Sequence, residues 1–314
     1  MKLIDVIDAY LARQRSLGMR FDSAGRLLHH FGRAVGDCQI QEVTPGAIVA
    51  FLDGDGALTA TWTVKFRVLS GLYRFAISRG YADFSPMPTV LPNMPAPQTP
   101  YVYSVDELRR LLKATAALQA GYSRHVPAMY RTMILLLYGT GMRIGEALRL
   151  TLQDVDLDEQ IITINCAKFF KTRLVPIGPK LSGELAAHIE HRGELPMPNG
   201  KASPLFASRG IRGWTYPTVI TMFQHVRQVA GIECPLGEPR PPRLHDLRHT
   251  AVVHRVVAWY RSGQDVQRLL PQLATYLGHI DIRSTQRYLQ MTPELLEAAS
   301  QRFAQYAVGG VHEG

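Results

Sequence analysis

Histidine, arginine and tyrosine side chains crowd into one stretch of this chain, residues 245–288. His245 and Arg248 belong to the motif LHDLRHT, His279 belongs to LGH, and Tyr288 follows that histidine nine residues later. Arginine grips phosphate oxygens through two parallel hydrogen bonds and keeps its charge at any working pH. A tyrosine oxygen can attack phosphorus and form a covalent intermediate. The residue types therefore indicate chemistry on a phosphate ester.

A further cation precedes this stretch, in the motif GTGMRIGEALRL, where Arg143 stands near the start of a predicted helix. A cation is unfavourable at the positive N-terminal end of a helix unless an anion also binds there. Glu146 follows one turn later and can hold the guanidinium group. We expect a buried helix over residues 130–137 before the motif, broken by Gly139 and Gly141.

Residues 161–177, IITINCAKFFKTRLVPI, contain two β-rich runs. They predict a β-hairpin with Lys168 and Lys171 at or near its tip. A loop lysine is usually only solvated, so the hairpin by itself gives neither lysine a role.

Composition limits the partners of these residues. The chain has 314 residues, 46% of them hydrophobic, which suits two folded domains. Its net charge of +9 and pI near 9.6 favour a polyanionic partner such as nucleic acid. No apolar run approaches the ~20 residues that span a bilayer, and the N-terminus does not resemble a secretory signal. Three widely spaced cysteines support neither a disulfide framework nor a zinc site, so we expect a cytoplasmic protein.

A proline-rich segment divides the chain. Residues 85–100 contain six prolines, which exclude a helix or a central strand and predict an extended linker. We expect a mainly α fold with a small antiparallel β-sheet (α+β). A helical domain should occupy residues 1–85, a linker 86–101, and a second domain 102–314 with a C-terminal helix from Pro293 and a tail.

The helices that position the motifs can be placed by their apolar periodicity. In the first domain we predict helices within 3–35, from Pro45, and from about Thr59 to Arg79. The inner face of the last one should hold Val64, Val68, Leu72, Phe75 and Ala76. In the second domain we predict helices from Ser104, over 179–191 and 218–230, and one bracketed by Pro271 and Gly278.

Taken in order, GTGMRIGEALRL, the hairpin lysine, LHDLRHT, LGH and the following tyrosine resemble the tyrosine recombinase (phage integrase) family over residues 139–288. The N-terminal region is similar to that family's core-binding domain in pattern only. The resemblance implies a site-specific DNA recombinase for integration or excision of mobile DNA. Such an enzyme cuts and rejoins DNA through a 3′-phosphotyrosine intermediate and a Holliday junction.

The resemblance also implies a role for each motif residue. Arg143 and Arg248 would clamp the scissile phosphate, and Glu146 would support Arg143. His245 and His279 would hydrogen-bond the phosphate and assist proton transfer. Tyr288 would be the nucleophile. Lys168 would be the general acid that protonates the leaving 5′-oxygen, with Lys171 as its rival, because this hairpin has phenylalanines where the family usually has glycines.

Other basic residues are candidates for DNA contact. They are Lys65, Arg67 and Arg74 on the helix from Thr59, and Lys171 and Arg173 in the hairpin; a merely solvated face is the alternative. The expected partners are double-stranded DNA with specific recombination sites, three further copies in a homotetramer, and in some systems partner recombinases or accessory proteins. The C-terminal helix would dock on a neighbouring subunit. The resemblance implies neither a metal nor a cofactor, and localisation would be cytoplasmic, with the nucleoid.

Several alternatives remain at this point. HDLRH spaces His245 and His249 as a zinc hydrolase would, with Asp246 in place of the usual glutamate base. Asp246 is more naturally a helix cap. A DNA-binding relative that has lost catalysis, or that cuts only with a partner recombinase, is a second alternative. A type IB topoisomerase, which shares the chemistry, is a third.

Overall fold

The structure is a computed structural model of the protein. It describes residues 1–19, 21–95, 99–120, 124–165, 172–207, 212–238 and 240–278, together with Glu297 and Ser300. The chain forms two compact units, Met1–Gln98 (unit 1) and Thr99–Gly314 (unit 2). Residues 81–95, which include most of the proline-rich segment, contain neither helix nor strand. No helix in the described ranges is both long and apolar enough to cross a bilayer.

Unit 1 contains four α-helices in its described part: α1 (Leu3–Ser16), α2 (Asp22–Val35), α3 (Pro45–Asp53) and α4 (Ala60–Ser78). Thr44 caps α3 through its side chain, and Thr59 caps α4. The apolar faces of the helices meet in one core, which contains Ile7, Leu28, Phe31, Ile48 and Leu72.

The structure corrects the predicted inner face of α4. Val64 is 52% exposed, whereas Leu72, Phe75 and Ala76 are buried and Val68 is half-buried. The buried stripe begins with Trp62 and continues through Leu69. Trp62 takes the buried position instead, where its ring stacks on Phe66 and its indole N–H donates to Asp53.

Unit 2 combines helices with one small sheet. Its helices are α5 (Val105–Ala114), α6 (Val126–Thr140), α7 (Ile144–Ala147), α8 (Pro179–Gly193), α9 (Tyr216–Val229), α10 (Asp246–Arg261) and α11 (Val266–Leu277). Its strands are β1 (Val155–Asp156), β2 (Ile161–Ile164) and β3 (Arg173–Pro176), paired antiparallel in the order β1-β2-β3. The predicted mainly α fold with a small antiparallel sheet is confirmed.

The core of unit 2 lies around α6, whose side chains Tyr130, Met133 and Leu137 are buried. It extends to Ile162 and Val175 of the sheet. A smaller apolar cluster lies between α10 and α11. A hydrogen bond from the Tyr103 N–H to Thr250 Oγ1 at 2.9 Å ties the segment before α5 to α10.

Two predicted helix boundaries are wrong. Gly139 lies inside α6, which continues to Thr140 and ends at Gly141. Pro271 lies inside α11 and does not begin it. The helix begins at Val266, because the Asp265 side chain caps it by accepting from the Arg268 N–H at 3.2 Å. Gly278 ends α11 in the left-handed conformation, as predicted.

Candidate active site

The turn between α6 and α7 positions Arg143. Gly141 has φ +62°, and its N–H donates to the carbonyl of Leu137 at 2.9 Å. A Cβ on Gly141 would come within 2.7 Å of Leu277 Cδ2, so glycine allows the end of α6 to meet the end of α11. Arg143 then takes the N-cap position of α7 with extended backbone, and its side chain stays 37% exposed.

The carboxylate of Glu146 holds this arginine in place. Its carboxylate accepts the Arg143 N–H at 2.9 Å and Arg143 Nη1 at 3.0 Å. Glu146 is only 4% exposed. Burial alone would raise its pKa, but the hydrogen bond from Arg173, the Arg143 N–H and the two positive charges lower the pKa to about 2. Glu146 is therefore a fixed negative charge that orients Arg143.

Arg173 is the second partner of Glu146, an arrangement that argues against the predicted contact of Arg173 with DNA. Its Nη1 and Nη2 donate to the Glu146 carboxylate at 3.1 Å and 2.7 Å. The side chain is only 11% exposed. The buried carboxylate offers a planar, bidentate partner, so the guanidinium turns inward from the start of β3.

Arg248 joins three segments of unit 2. It lies in the first turn of α10 and is 3% exposed. Its Nη1 donates to the Gly141 carbonyl at 2.6 Å, and its Nη2 donates to the Leu277 carbonyl at 2.9 Å. One guanidinium thus binds the turn that precedes Arg143 and the last residue of α11, two positions before His279.

His245 is the N-cap residue of α10 and remains exposed. The surrounding protein lowers its pKa by desolvation, and the charge of Arg248 lowers it next. Arg243 and Arg143 lower it further, against the opposite effect of Asp246. His245 therefore stands in the same cationic environment as the two arginines and favours the neutral imidazole.

His249 is a residue that the sequence indicated only as a zinc ligand. Its ring meets that of His245 edge to face, with ring centroids 4.9 Å apart. Burial, and then the neighbouring His245, lower the pKa of His249 to about 4. The spacing of HDLRH was the signal that these two rings share one face of a helix.

Asp246 has neither of the roles considered for it. Its buried carboxylate accepts the Arg243 N–H at 2.7 Å, Arg243 Nη2 at 3.0 Å and Arg243 Nε at 3.3 Å. It therefore fixes the turn before α10 and does not cap that helix. Engaged in this way, it does not resemble the free base of a zinc hydrolase. In the described ranges no three His, Cys, Asp or Glu side chains converge as metal ligands.

Four predicted site residues, Lys168, Lys171, His279 and Tyr288, lie outside the residues that the structure describes. So does most of the predicted C-terminal helix from Pro293, of which Glu297 and Ser300 are described as helical. The strands on either side of the lysines are described: Ile164 pairs with Arg173 across the base of the hairpin. Gly278, with φ +67°, stands directly before His279.

The basic residues predicted on α4 divide into two groups. Arg67 and Arg74 are exposed. Lys65 Nζ instead donates to the carbonyls of Phe51 and Leu52 at 2.6 Å and 3.3 Å, and it lies 4.9 Å from the centre of the Phe51 ring. Lys65 thus satisfies carbonyls at the C-terminal end of α3, where a cation is favourable, and this argues against its predicted contact with DNA.

Comparison with known proteins places this chain in a family. The model of the phage integrase family matches residues 102–294, more than half of the chain. A putative integrase/recombinase of Sinorhizobium fredii, y4rB, is 29% identical over 94% of this chain and 95% of its own length. The tyrosine recombinase XerD of Bifidobacterium longum is 29% identical over 79% of this chain and 77% of its own length.

Solved structures support the same fold. A lambda integrase dimer bound to a COC′ core site matches 92% of this chain and 95% of that chain, with 18% identity and a TM-score of 0.67. A lambda integrase tetramer bound to a Holliday junction matches 90% of this chain and 78% of that chain, with 18% identity and a TM-score of 0.65. The chain belongs to the phage integrase family, the tyrosine recombinases, and is an enzyme of site-specific DNA strand cleavage and rejoining.

Proposed function

We propose that this recombinase uses Tyr288 to cut a DNA strand at a phosphate held by Arg143 and Arg248. One observation carries the proposal. The Arg248 guanidinium is bound to the carbonyls of Gly141 and Leu277, so the segment carrying Arg143 and the segment leading to His279 and Tyr288 start from one point. This contact between the motif of Arg143, the motif of Arg248 and the end of α11 supports a single centre for the reaction.

The charges of the described residues at this centre suit an anion. Arg143, Arg173 and Arg248 bring three positive charges, and the carboxylate of Glu146 beside them brings one negative charge. Arg243 and Asp246 neutralise each other nearby. An excess of fixed guanidinium charge favours a phosphodiester, and favours still more the additional charge on a pentacoordinate transition state.

The reaction then follows from the residue types. The Tyr288 oxygen attacks phosphorus, a P–O bond to the tyrosine forms, and the bond to the 5′-oxygen breaks. Lys168, or Lys171 in its place, delivers a proton to that leaving oxygen. His245 and His279 hydrogen-bond the phosphate and take up the tyrosine proton. The phosphotyrosine keeps the phosphodiester energy, so a 5′-hydroxyl of another strand can reverse the step and complete an exchange.

The domains and the assembly belong to the same proposal. Residues 1–85 would form the core-binding domain, 86–101 the linker and 102–314 the catalytic domain; the division into two units at residues 98 and 99 supports this layout. Arg67 and Arg74 of α4 and Lys171 of the hairpin would contact DNA phosphates. The active form would be a homotetramer on two duplexes, working on chromosomal DNA in the cytoplasm. The solved lambda integrase tetramer on a Holliday junction supports that assembly by analogy.

A suicide substrate tests the proposal. The binding site is first selected from a random-sequence duplex library, and a duplex carrying it is nicked beside the cleavage point so that the short leaving strand diffuses away. The wild-type chain should accumulate a covalent protein–DNA adduct on a denaturing gel. Tyr288→Phe should bind the same duplex with equal affinity and form no adduct. An adduct in that variant would contradict the assignment of the nucleophile.

Strand exchange separates this function from that of a topoisomerase. Two duplexes that carry the selected site should yield four-way junctions and recombinant products. Relaxation of a supercoiled plasmid without any exchange between duplexes would favour a type IB topoisomerase instead. Cleavage that appears only after a second recombinase is added would favour the partner-dependent alternative.

A further inference from the structure

Arg173 occupies a position that its place in a surface hairpin does not explain. It is the first residue of β3 and pairs with Ile164 where the hairpin loop rejoins the sheet. Its side chain nevertheless points away from solvent, with 11% exposure, and grips Glu146 through both terminal nitrogens. A cation buried this deeply, on the strand that follows Lys168 and Lys171, is unexpected unless its partners give it a role.

One side of the guanidinium reaches Arg143 through a shared carboxylate. Oε1 of Glu146 accepts Nη1 of both Arg143 and Arg173, at 3.0 Å and 3.1 Å. Oε2 accepts the Arg143 N–H at 2.9 Å and Arg173 Nη2 at 2.7 Å. Arg173 thus supplies two of these four hydrogen bonds, and the carboxylate plane that orients Arg143 is fixed by Arg173.

Another part of the guanidinium contacts the end of α11. A Cβ placed on Gly278 would lie 2.6 Å from Arg173 Nη1 and 3.0 Å from its Cζ. The glycine backbone therefore packs directly against the arginine head group, one residue before His279. Arg248 holds the preceding residue through the Leu277 carbonyl at 2.9 Å. The last turn of α11 is thus seated between two arginines.

We propose that Arg173 is a positioning residue for strand cleavage: it orients Arg143 through Glu146 and seats the turn that leads into His279. The inference rests on the proposed function, because it assigns Arg173 to the same centre. Arg173 acts through other residues and does not itself contact the DNA. Lysine cannot replace it, because a single ammonium group cannot make the planar two-point contact with Glu146 while also packing against Gly278.

The test compares Arg173→Lys with the wild-type chain on the suicide duplex at saturating protein. The bound fraction is read from a gel shift, and the rate of adduct formation from the bound complex is measured separately. We expect the rate to fall about tenfold or more, since small misplacements of catalytic groups have large effects. The affinity and its salt dependence should stay unchanged, because Arg173 touches no phosphate.

Arg192→Lys is the matched control for loss of a buried arginine. Arg192 is 1% exposed and donates to the carbonyls of Pro204, Leu195 and Pro196. Its replacement should lower the melting temperature and leave the cleavage rate of the bound, folded complex unchanged. If both lysine variants slow cleavage only in proportion to the fraction unfolded, Arg173 is merely structural and the inference fails.

A double-mutant cycle tests the route through Glu146. The cycle uses Glu146→Gln, Arg173→Ala and the double variant. If Arg173 orients Arg143 through that carboxylate, the double variant should lose clearly less than the product of the two single losses, since the effects of coupled residues are not additive. Additive losses would overturn the route. So would weakened DNA binding with a smaller salt slope in Arg173→Lys, which would make it a phosphate ligand. If the wild-type chain forms the adduct and Arg173→Lys forms it at the same rate, this inference alone is refuted. If the wild-type chain forms no adduct, the proposed function is refuted.

Discussion

At the scale of single residues, the site depends on groups whose charge is fixed by their neighbours. Glu146 stays ionised because its two arginine partners outweigh its burial, and its pKa lies at about 2. His249 stays neutral because burial and His245 lower its pKa to about 4. Both shifts tie the stability of unit 2 to pH, in different windows.

The direction of the pH dependence that His249 gives to stability follows from comparing the unfolded and folded chains. The unfolded chain binds a proton near the ordinary histidine pKa of 6.5, whereas the folded chain resists protonation down to about 4. Unfolding therefore takes up protons, and the free energy of unfolding falls as the pH drops from about 6.5 toward about 4. Glu146 acts at lower pH. Its contribution to the free energy of unfolding is present above its ordinary pKa of 4.5 and is lost as the pH falls toward about 2.

The substitution His249→Gln should weaken the dependence of the unfolding free energy on pH in the first of these windows. Between about pH 7 and about pH 5 the variant should lose less unfolding free energy than the wild-type chain, because its side chain cannot titrate. His245 and His188, whose pKa values are also lowered, keep their share of the effect. Urea unfolding followed by the fluorescence of Trp214 and Trp259, in a Trp62→Phe background, would report on unit 2. Equal losses in both proteins would show that folding does not lower the pKa of His249.

At the scale of elements, two glycines let helix ends meet where side chains would collide. Gly141 ends α6 against Leu277, and Gly278 ends α11 against Arg173. These contacts set the spacing between the segments that lead to Arg143 and to His279. The elements are otherwise conventional, since α10 and α11 pack through valine and leucine side chains.

Gly141→Ala tests this arrangement. The new Cβ would lie 2.7 Å from Leu277 Cδ2, and the residue has φ +62°. We expect a loss of about 1–3 kcal/mol of stability and a slower cleavage step, since a strained left-handed residue costs that order of energy. Gly183→Ala in α8 is the control, because nothing lies within 4 Å of the place its new methyl group would take and its φ is ordinary. That change should be neutral or slightly stabilising; a similar loss in both variants would contradict the packing argument.

The elements also show what sequence patterns can predict. The paired strands of the hairpin and the capped start of α5 follow from local patterns, and they are present. Pro271 was misplaced because a capping aspartate upstream outweighs the local cost of an interior proline. The inward turn of Arg173 depends on a tertiary neighbour, Glu146, so spacing along the chain does not indicate it. The pairing of Asp246 with Arg243, three residues earlier, is local, and the spacing along the chain allows it.

At the scale of the whole molecule, the net charge of +9 should make DNA affinity strongly dependent on salt. Exposed arginines on α4 are expected to contribute, whereas Lys65 is engaged with the carbonyls of Phe51 and Leu52. Arg67→Gln with Arg74→Gln should therefore weaken binding and lower the slope of log affinity against log salt by about two, since each phosphate contact contributes nearly one.

Lys65→Gln supplies the comparison in the same helix. It should leave that slope unchanged and lower the stability of unit 1, because it removes the hydrogen bonds to the end of α3. Binding titrations at several salt concentrations would measure both variants. A reduced slope for Lys65→Gln, with none for the arginine pair, would reverse the assignment of the DNA-contacting face.

The central claim is that a tyrosine near the end of the chain carries the cut DNA strand. Nuclease and protease digestion of the covalent adduct, followed by tandem mass spectrometry, would locate the remaining nucleotide on one residue. We predict a 3′-linked nucleotide on the peptide that contains Tyr288. A nucleotide on Tyr276, whose hydroxyl donates to the Pro176 carbonyl at 3.2 Å, or on any residue other than Tyr288, would contradict the account.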